Sequence, residues 1–160
     1  MLIRHARQDD HPAIWRILEP TIRAGETYAL PRDMSEADAL AYWTGADRET
    51  FVAEKEGNIL GTYVLRANQL GGGAHVANCG YMTAADAVGR GVARAMCEHS
   101  LAHARECGFR AMQFNFVVSS NERAVKLWQG LGFETVGRLP LAFEHPRLGF
   151  VDALVMFRVL

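Results

Sequence analysis

The chain has 160 residues, of which 49% are apolar, and its 17 basic and 18 acidic residues give a formal net charge of −1. This size and composition are typical of one globular domain over residues 1–160, with a core large enough to need no disulfide or metal staple. The near-neutral balance, without long charge runs, argues against a nucleic-acid-binding track or an anionic-membrane patch. The near-neutral net charge is still compatible with a local anion site.

Cysteine usage and the N-terminus both bear on the cellular compartment. The three cysteines, Cys79, Cys97 and Cys107, are odd in number and lack C-x-x-C spacing, which favours reduced thiols over a disulfide framework. The N-terminal segment "MLIRHARQDD" has no apolar h-region, and no stretch approaches the roughly 18 apolar residues of a membrane span. We therefore expect a soluble, cytoplasmic protein.

The N-terminal segment predicts a strand followed by a helix. Residues 2–6 are a short strand candidate, and residues 9–22 carry apolar side chains at helical spacing. Asp9 or Asp10 is expected to cap this helix, and Pro20 to end or kink it.

The next segment predicts a loop, a second helix and a hairpin. Residues 23–33 are irregular, and Ser35 is placed to cap a helix over residues 35–43. Residues 50–67 form two β-branched runs joined around Gly57-Asn58, which is typical of an antiparallel hairpin.

The central segment predicts a third strand and the longest helix. A glycine-rich turn precedes a run over residues 75–83, whose alternation breaks at Gly80, where we expect a bulge or a close backbone approach. Residues 92–107 carry apolar residues along one helical face, and Gly108 stands where a left-handed C-terminal cap is expected.

The C-terminal third completes the fold prediction. A strand over residues 111–118, a helix capped by Asn121 and two closing strands over residues 133–143 and 150–160 follow in order. The order of elements predicts an α+β fold, a single mixed sheet with helices against it.

The segment "AVGRGVARAM" carries the clearest chemical signal. Gly89 and Gly91 permit positive φ immediately before a helix, where backbone N–H groups and the helix dipole favour anions, and Arg90 can add a charge-assisted contact. Alternatively, the segment is a loop and helix cap that binds no anion, because the same residues are typical of both. A P-loop and a dinucleotide fingerprint both fail on spacing, since Val92 and Arg94 stand where Ser/Thr and a third glycine are required.

Two segments together resemble the Gcn5-related N-acetyltransferase (GNAT) family. "VGRGVARAM" is similar to the family's pyrophosphate loop, V/I-x-x-x-Q/R-x-x-G-x-G/A, although Val88 replaces the usual Gln or Arg. "NERAVKLWQGLGF" is similar to the downstream N-x-x-A-x-x-L-Y-x-x-x-G-F segment, and the predicted elements match that fold from end to end.

The resemblance implies acetyl-CoA as co-substrate, with no metal, held in a splay between the strand over residues 75–83 and the strand over residues 113–118. Backbone groups at three positions would bind the pantetheine arm: Tyr81, Met82 and Thr83. Six consecutive residues would hold the pyrophosphate: Val88, Gly89, Arg90, Gly91, Val92 and Ala93. The side chain of Asn121 would lie near the pantetheine or phosphate end.

The implied activity is acetyl transfer to an amine without a covalent enzyme intermediate. Trp128 stands where many family members have a tyrosine that acts as general acid, and an indole N–H is not a proton source. Residues 61–83 ("GTYVLRANQLGGGAHVANCGYMT") and 114–128 ("FNFVVSSNERAVKLW") resemble fungal proline-analogue (azetidine-2-carboxylate) N-acetyltransferases. This narrower resemblance implies roles for two asparagines. Asn78 would orient the substrate or the acetyl carbonyl, and Asn115 would be a donor near the thioester; alternatively, each satisfies a local backbone group.

The acceptor side is expected to bind a small-molecule amine, such as an amino acid or a proline analogue. Glu26 and Tyr28 lie in the loop that covers the acceptor in this fold, and His75 is placed to relay the amine proton. The alternatives are that Glu26 is only solvated and that His75 is an ordinary surface residue. A protein or peptide acetyltransferase and a non-catalytic acyl-CoA sensor are the alternatives. A homodimer is expected by analogy with the family.

One further pattern lies on the long helix. His99, His103 and Cys107 fall at i, i+4 and i+8, which is a spacing that metal sites use. The neighbouring sequence offers no fourth ligand, so we interpret the three residues as a surface stripe.

Overall fold

Seven strands build one mixed sheet, with helices packed against both of its faces. The structure is a computed structural model that describes residues 1–160. The strands are β1 Leu2–His5, β2 Glu49–Lys55, β3 Asn58–Ala67, β4 Val76–Thr83, β5 Ala111–Val118, β6 Glu134–His145 and β7 Gly149–Val159, in the order β1-β2-β3-β4-β5-β7-β6. The helices are α1 His11–Ala24, α2 Glu36–Trp43, α3 Val92–Glu106 and α4 Glu122–Gly130. The predicted α+β class and the predicted order of elements are confirmed.

The sheet opens between its two central strands. β4 and β5 form its parallel pair, and they are hydrogen-bonded only at Val76–Ala77 against Ala111–Met112. Beyond these residues the strands diverge, so that backbone groups along the rest of β4 have no partner on β5. The family resemblance implied this splay.

The alternation of β3 assigns each sheet face to different helices. Thr62 faces α2, where its hydroxyl accepts a hydrogen bond from the Trp43 indole nitrogen at 2.9 Å. The next residue, Tyr63, faces α3, where its hydroxyl lies 2.7 Å from Nδ1 of His99. No helix has the length and apolar content needed to cross a membrane.

Helix α1 differs from the prediction at its proline and at its N-terminal acid. It does not end at Pro20 but continues to Ala24, and Gly25 caps it with φ +64°. One apolar face, buried against the sheet, stabilises the helix across the proline: Ile14, Ile17, Leu18 and Ile22. Asp10 occupies the N-cap position of α1, but its side chain does not cap that helix and instead binds Arg4 at 2.7 Å.

The structure agrees only in part with the predictions made for Gly57 and Gly80. The β2–β3 turn lies at Glu56-Gly57, both with positive φ, one residue before the predicted position. Gly80 is not a bulge, because β3 and β4 pair without a register shift around it. Instead, the Tyr28 hydroxyl approaches Gly80 closely: a Cβ at this position would lie 3.1 Å from it.

Candidate active site

A cavity of about 800 Å³ fills the splay between β4 and β5. One end is formed by the loop before α3 and the start of α4, and the other by residues near α2 and the end of β3. A long, partly apolar ligand with an anionic end fits such a space.

The loop before α3 presents unpaired backbone donors to the cavity. Gly89 and Gly91 have φ of +88° and +79°, and Gly91 is the N-cap residue of α3. The N–H groups of Gly89, Gly91, Val92 and Ala93 make no hydrogen bond within the protein, whereas that of Arg90 is bound to the carbonyl of Ala87 at 3.2 Å. Free amides at a helix N-terminus bind anions, so this end suits phosphate.

The side-chain cations at this end are not those that the loop sequence suggested. Arg90 is exposed and does not line the cavity, whereas Arg94 and Arg123 do. Arg123 lies over the loop, with one guanidinium nitrogen 3.4 Å from the position that a Cβ of Gly89 would take. The only sequence signal for Arg123 is its place in the first turn of α4. Asn121, the N-cap of that helix, lines the cavity while its side chain accepts from the Ala124 amide at 3.3 Å.

The free edge of β4 forms the wall of the splay. Tyr81, Met82 and Thr83 all line the cavity. The Tyr81 carbonyl accepts a hydrogen bond from the Tyr28 hydroxyl at 3.0 Å. This bond holds the loop between α1 and α2, the covering loop, against the edge of β4. Burial raises the pKa of Tyr28, so its phenol stays protonated at neutral pH.

The two predicted asparagines lie in the cavity wall but differ in their surroundings. Asn78 stands where the splay begins and donates to the carbonyl of Gln113 on β5 at 2.9 Å, in place of the next ladder hydrogen bond. Asn115 is exposed in a bulge of β5 and donates to the side chain of Asn68 at 2.7 Å. Asn78 thus satisfies a backbone group, whereas Asn115 belongs to a chain of side-chain amides on the rim.

Trp128 closes the inner wall of the cavity. It is 8% exposed, and its ring packs 5.1 Å from Tyr81 and 5.2 Å from Phe114, measured between centroids. Its indole N–H has no acceptor within the protein and can donate to a ligand, but it cannot supply a proton.

The far end of the cavity holds two arginines, Arg48 and Arg66, that no sequence pattern indicated. Arg48 is bound at both ends of its guanidinium by Asp47, at 2.8 and 3.0 Å, whereas Arg66 contacts the same carboxylate only at 3.4 Å. Hydrogen bonds from Arg48 and then Arg66 lower the pKa of Asp47 to about 2. Arg66 pairs with Asn78 in the β3–β4 register, and directly opposed residues project to the same face. Arg66 therefore keeps donors free beside the start of the splay.

Two predicted substrate residues lie outside the cavity wall. Glu26 turns away from it to pair with Arg147 at 2.5 Å. His75 is exposed at the start of β4, on the closed side of the splay, where its carbonyl accepts from the Arg110 amide at 2.8 Å. The third, Tyr28, lines the cavity.

The charged side chains that line the cavity are all arginines: Arg48, Arg66, Arg94 and Arg123. No Asp, Glu or His lines it, so neither a carboxylate nor an imidazole is positioned there as a general base. The arginines favour anionic groups at both ends of the cavity.

Comparison with known proteins agrees with this arrangement. The acetyltransferase (GNAT) family model matches residues 4–133. The N-acetyltransferase aca1 of Schizosaccharomyces pombe is 27% identical over 99 residues, which are 61% of this chain and 47% of that protein, so the chain spans about half the length of this curated relative.

Solved structures share the fold over nearly the whole chain. A GCN5-related N-acetyltransferase from Kribbella flavida is 43% identical, with a TM-score of 0.94 and coverage of 99% of this chain and 97% of that one. A GNAT superfamily phosphinothricin acetyltransferase from Sinorhizobium meliloti, in complex with acetyl-CoA, is 22% identical, with a TM-score of 0.86 and coverage of 99% and 88%. The splayed sheet, the glycine loop with free amides and the family match together show that the chain belongs to the GNAT family of acetyltransferases.

Proposed function

We propose that the protein is an acetyl-CoA-dependent N-acetyltransferase that acetylates the amine of a small amino acid. The observation that carries the proposal is one cavity with free backbone amides and two arginines at one end and Arg66 at the other. The first end suits the pyrophosphate of coenzyme A, and Arg66 suits the carboxylate of the acceptor.

The donor side rests on family membership and on the fit of the loop to phosphate. The phosphinothricin acetyltransferase from Sinorhizobium meliloti is in complex with acetyl-CoA, and this chain has the same fold. The free amides of Gly89, Gly91, Val92 and Ala93 would bind the pyrophosphate, with Arg123 adding charge. The open edge of β4 would bind the amides of the pantetheine arm.

Acetyl transfer would proceed by direct attack of the neutral amine on the thioester carbonyl. A C–N bond forms, the C–S bond breaks, the thiolate of coenzyme A leaves, and the amine proton passes to water. The residues contribute position, worth about 7–11 kcal/mol at the intramolecular limit, and donors for the developing oxyanion. Asn78, Asn115 and the Trp128 N–H are the proposed donors, because all three residues line the cavity.

The acceptor would be recognised through its carboxylate. Arg66 is 35% exposed and holds Asp47 only weakly, so its guanidinium can form the paired hydrogen bonds that a carboxylate accepts. Arg48 is already fixed by Asp47 and by the face of the Tyr42 ring, 5.0 Å away. A small amino acid, including a cyclic one such as proline, has the charge and size for this end.

A non-catalytic acyl-CoA sensor is the second candidate, favoured by Trp128 in the tyrosine position and by the lack of a base in the cavity wall. A protein or peptide acetyltransferase is the third, although the arginine-lined cavity favours an acidic acceptor over a basic peptide.

The test is release of free thiol from acetyl-CoA with a panel of proline, small amino acids, their decarboxylated amines and N-terminal peptides. Binding of CoA is measured on the same preparation by calorimetry. We expect turnover with amino acids. CoA binding without turnover on any amine would refute the enzyme and leave the sensor, and turnover on peptides alone would refute the small acceptor.

We also propose a cytoplasmic location and a homodimer. All three cysteines are free, as in proteins of a reducing, cytoplasmic compartment. Apolar side chains are exposed on β6 and β7, at Leu139, Leu141 and Phe150, and a homodimer would cover them. Sedimentation equilibrium of the protein tests the dimer, and a monomer at all concentrations would exclude it.

A further inference from the structure

A cluster of nitrogen, oxygen and sulfur ligands lies at the C-terminal end of α3. The imidazole Nε2 of His103 is 2.9 Å from a carboxylate oxygen of Glu49 and 3.5 Å from the thiol of Cys107. These three atoms all lie within 4.8 Å of one another. None of the three residues lines the acetyl-CoA cavity.

The fold assembles this cluster from residues that are distant in sequence. His103 and Cys107 share one face of α3 at i and i+4, and β2 begins with Glu49 beneath them. His5, at the end of β1, brings its Nε2 to 3.8 Å from the same oxygen of Glu49. His99, in contrast, is engaged by the Tyr63 hydroxyl at 2.7 Å and turns out of the cluster.

We propose that Glu49, His103 and Cys107 bind a zinc ion, with His5 as the fourth ligand. Tetrahedral zinc with bonds of about 2.0 Å to nitrogen and oxygen and about 2.3 Å to sulfur separates its ligand atoms by about 3.3 to 3.5 Å. The observed separations of 2.9 Å and 3.5 Å within the cluster lie close to these values. His5 lies 3.8 Å from Glu49 but outside the group of three, with its ring centroid 6.0 Å from that of His103, so its side chain would move inward when the ion binds.

The position of the cluster also favours a cation. The last carbonyl groups of α3 carry partial negative charge, and Glu49 supplies a full one. Cys107 is exposed and His103 is partly exposed, so the ion can enter from solvent. With all four ligands outside the cavity wall, the ion would fasten the end of α3 to β1 and β2, at the opposite end of the helix from the phosphate loop.

The test is zinc binding to reduced protein from which a chelator has removed metal. Calorimetry should give one zinc per chain, and the ion should raise the melting temperature. His103→Gln and Cys107→Ser should each weaken binding by about 100-fold or more, since loss of even an outer contact costs about 10- to 100-fold. His5→Ala should weaken it as well. His11→Gln removes a histidine outside the cluster and should leave binding unchanged.

Cobalt(II) provides a readout that depends on the thiolate itself. The cobalt-loaded protein should show a sulfur-to-metal charge-transfer band that disappears in Cys107→Ser. Circular dichroism and CoA binding of each metal-free variant distinguish lost ligation from misfolding, because the cluster lies outside the cavity. Absence of zinc binding, or binding that persists unchanged in both His103→Gln and Cys107→Ser, would overturn the site. Neither result depends on whether the protein acetylates amino acids.

Discussion

The substitution Gly91→Ala isolates the phosphate loop, because the chain contains a matched control. Gly91 has φ +79° and Gly57 has φ +77°, and a Cβ at either position would meet no protein atom within 4 Å. Gly57 lies in the β2–β3 turn and does not line the cavity. The two alanine variants therefore share the cost of a left-handed L-residue, about 1–2 kcal/mol, and differ only at the site.

The expected loss of affinity follows from the amides that surround Gly91. Its own N–H and those of Val92 and Ala93 are free, so a methyl group in this open space would keep an anion from at least one of them. A hydrogen bond to a charged group contributes about 1.5–3 kcal/mol. Loss of one such bond corresponds to a CoA dissociation constant raised about 10- to 100-fold in Gly91→Ala.

Urea denaturation of both variants and calorimetric titration with CoA are the two measurements. We expect equal losses in the free energy of unfolding and a loss of CoA affinity in Gly91→Ala alone. Wild-type affinity in Gly91→Ala would show that the pyrophosphate does not bind at this loop. An equal loss of affinity in Gly57→Ala would show that the lower affinity comes from reduced stability of the fold and not from lost contacts between the loop and CoA.

Three further predictions concern the covering loop, the N-terminal ion pair and the acceptor amine. Tyr28→Phe leaves the Tyr81 carbonyl without its donor. We therefore expect kcat/KM to fall about 10-fold and the free energy of unfolding, measured by urea denaturation, to fall by about 1 kcal/mol. Unchanged kinetics would contradict the role of the hydroxyl. Asp10→Asn should cost about 2 kcal/mol at neutral pH. Hydrogen bonds from Arg4 lower the pKa of Asp10. The stability that the ion pair contributes is therefore present above the ordinary carboxyl pKa and disappears as pH falls through the lowered value. If wild-type protein and Asp10→Asn still differed in urea denaturation in strong acid, this role of the ion pair would be refuted. Because no His or acid lines the cavity, kcat/KM should rise with pH as the acceptor loses one proton, and a second ionisation near about 6.5 would indicate a histidine base.

Local signals in the sequence sufficed for the order of elements and for the positive-φ glycines before α3. Ser35 caps α2 through the Asp38 amide at 3.1 Å, and Gly108 follows α3 with φ +88°, both as predicted. Each of these features depends on residues within one turn of each other. Of the two predicted effects of Pro20, an end or a kink, the end is wrong, because the local cost of the proline is outweighed by the buried face of α1, which only the packed sheet reveals.

The acceptor end and the histidine cluster could not be predicted in the same way. Arg66 reaches the site because β3 and β4 pair it with Asn78, and the register was not visible in the sequence. Glu49 meets His103 across 54 residues, so the pattern on α3 alone offered no further ligand. Glu26 pairs with Arg147 in the distant β6–β7 turn, a contact for which the loop sequence holds no signal.

The most direct test of the account compares proline with pyrrolidine, its decarboxylated counterpart, as acceptors for wild-type protein and Arg66→Gln. Initial rates of CoA release give kcat/KM for each pair, with the exposed Arg105→Gln as the control. We expect wild-type and control protein to prefer proline by about 10- to 100-fold, which is the contribution of a hydrogen-bonded charge pair. Arg66→Gln should lose this preference without a change in the rate for pyrrolidine. Equal rates for both acceptors in wild-type protein, or a preference that survives in Arg66→Gln, would contradict recognition of an amino acid at this site.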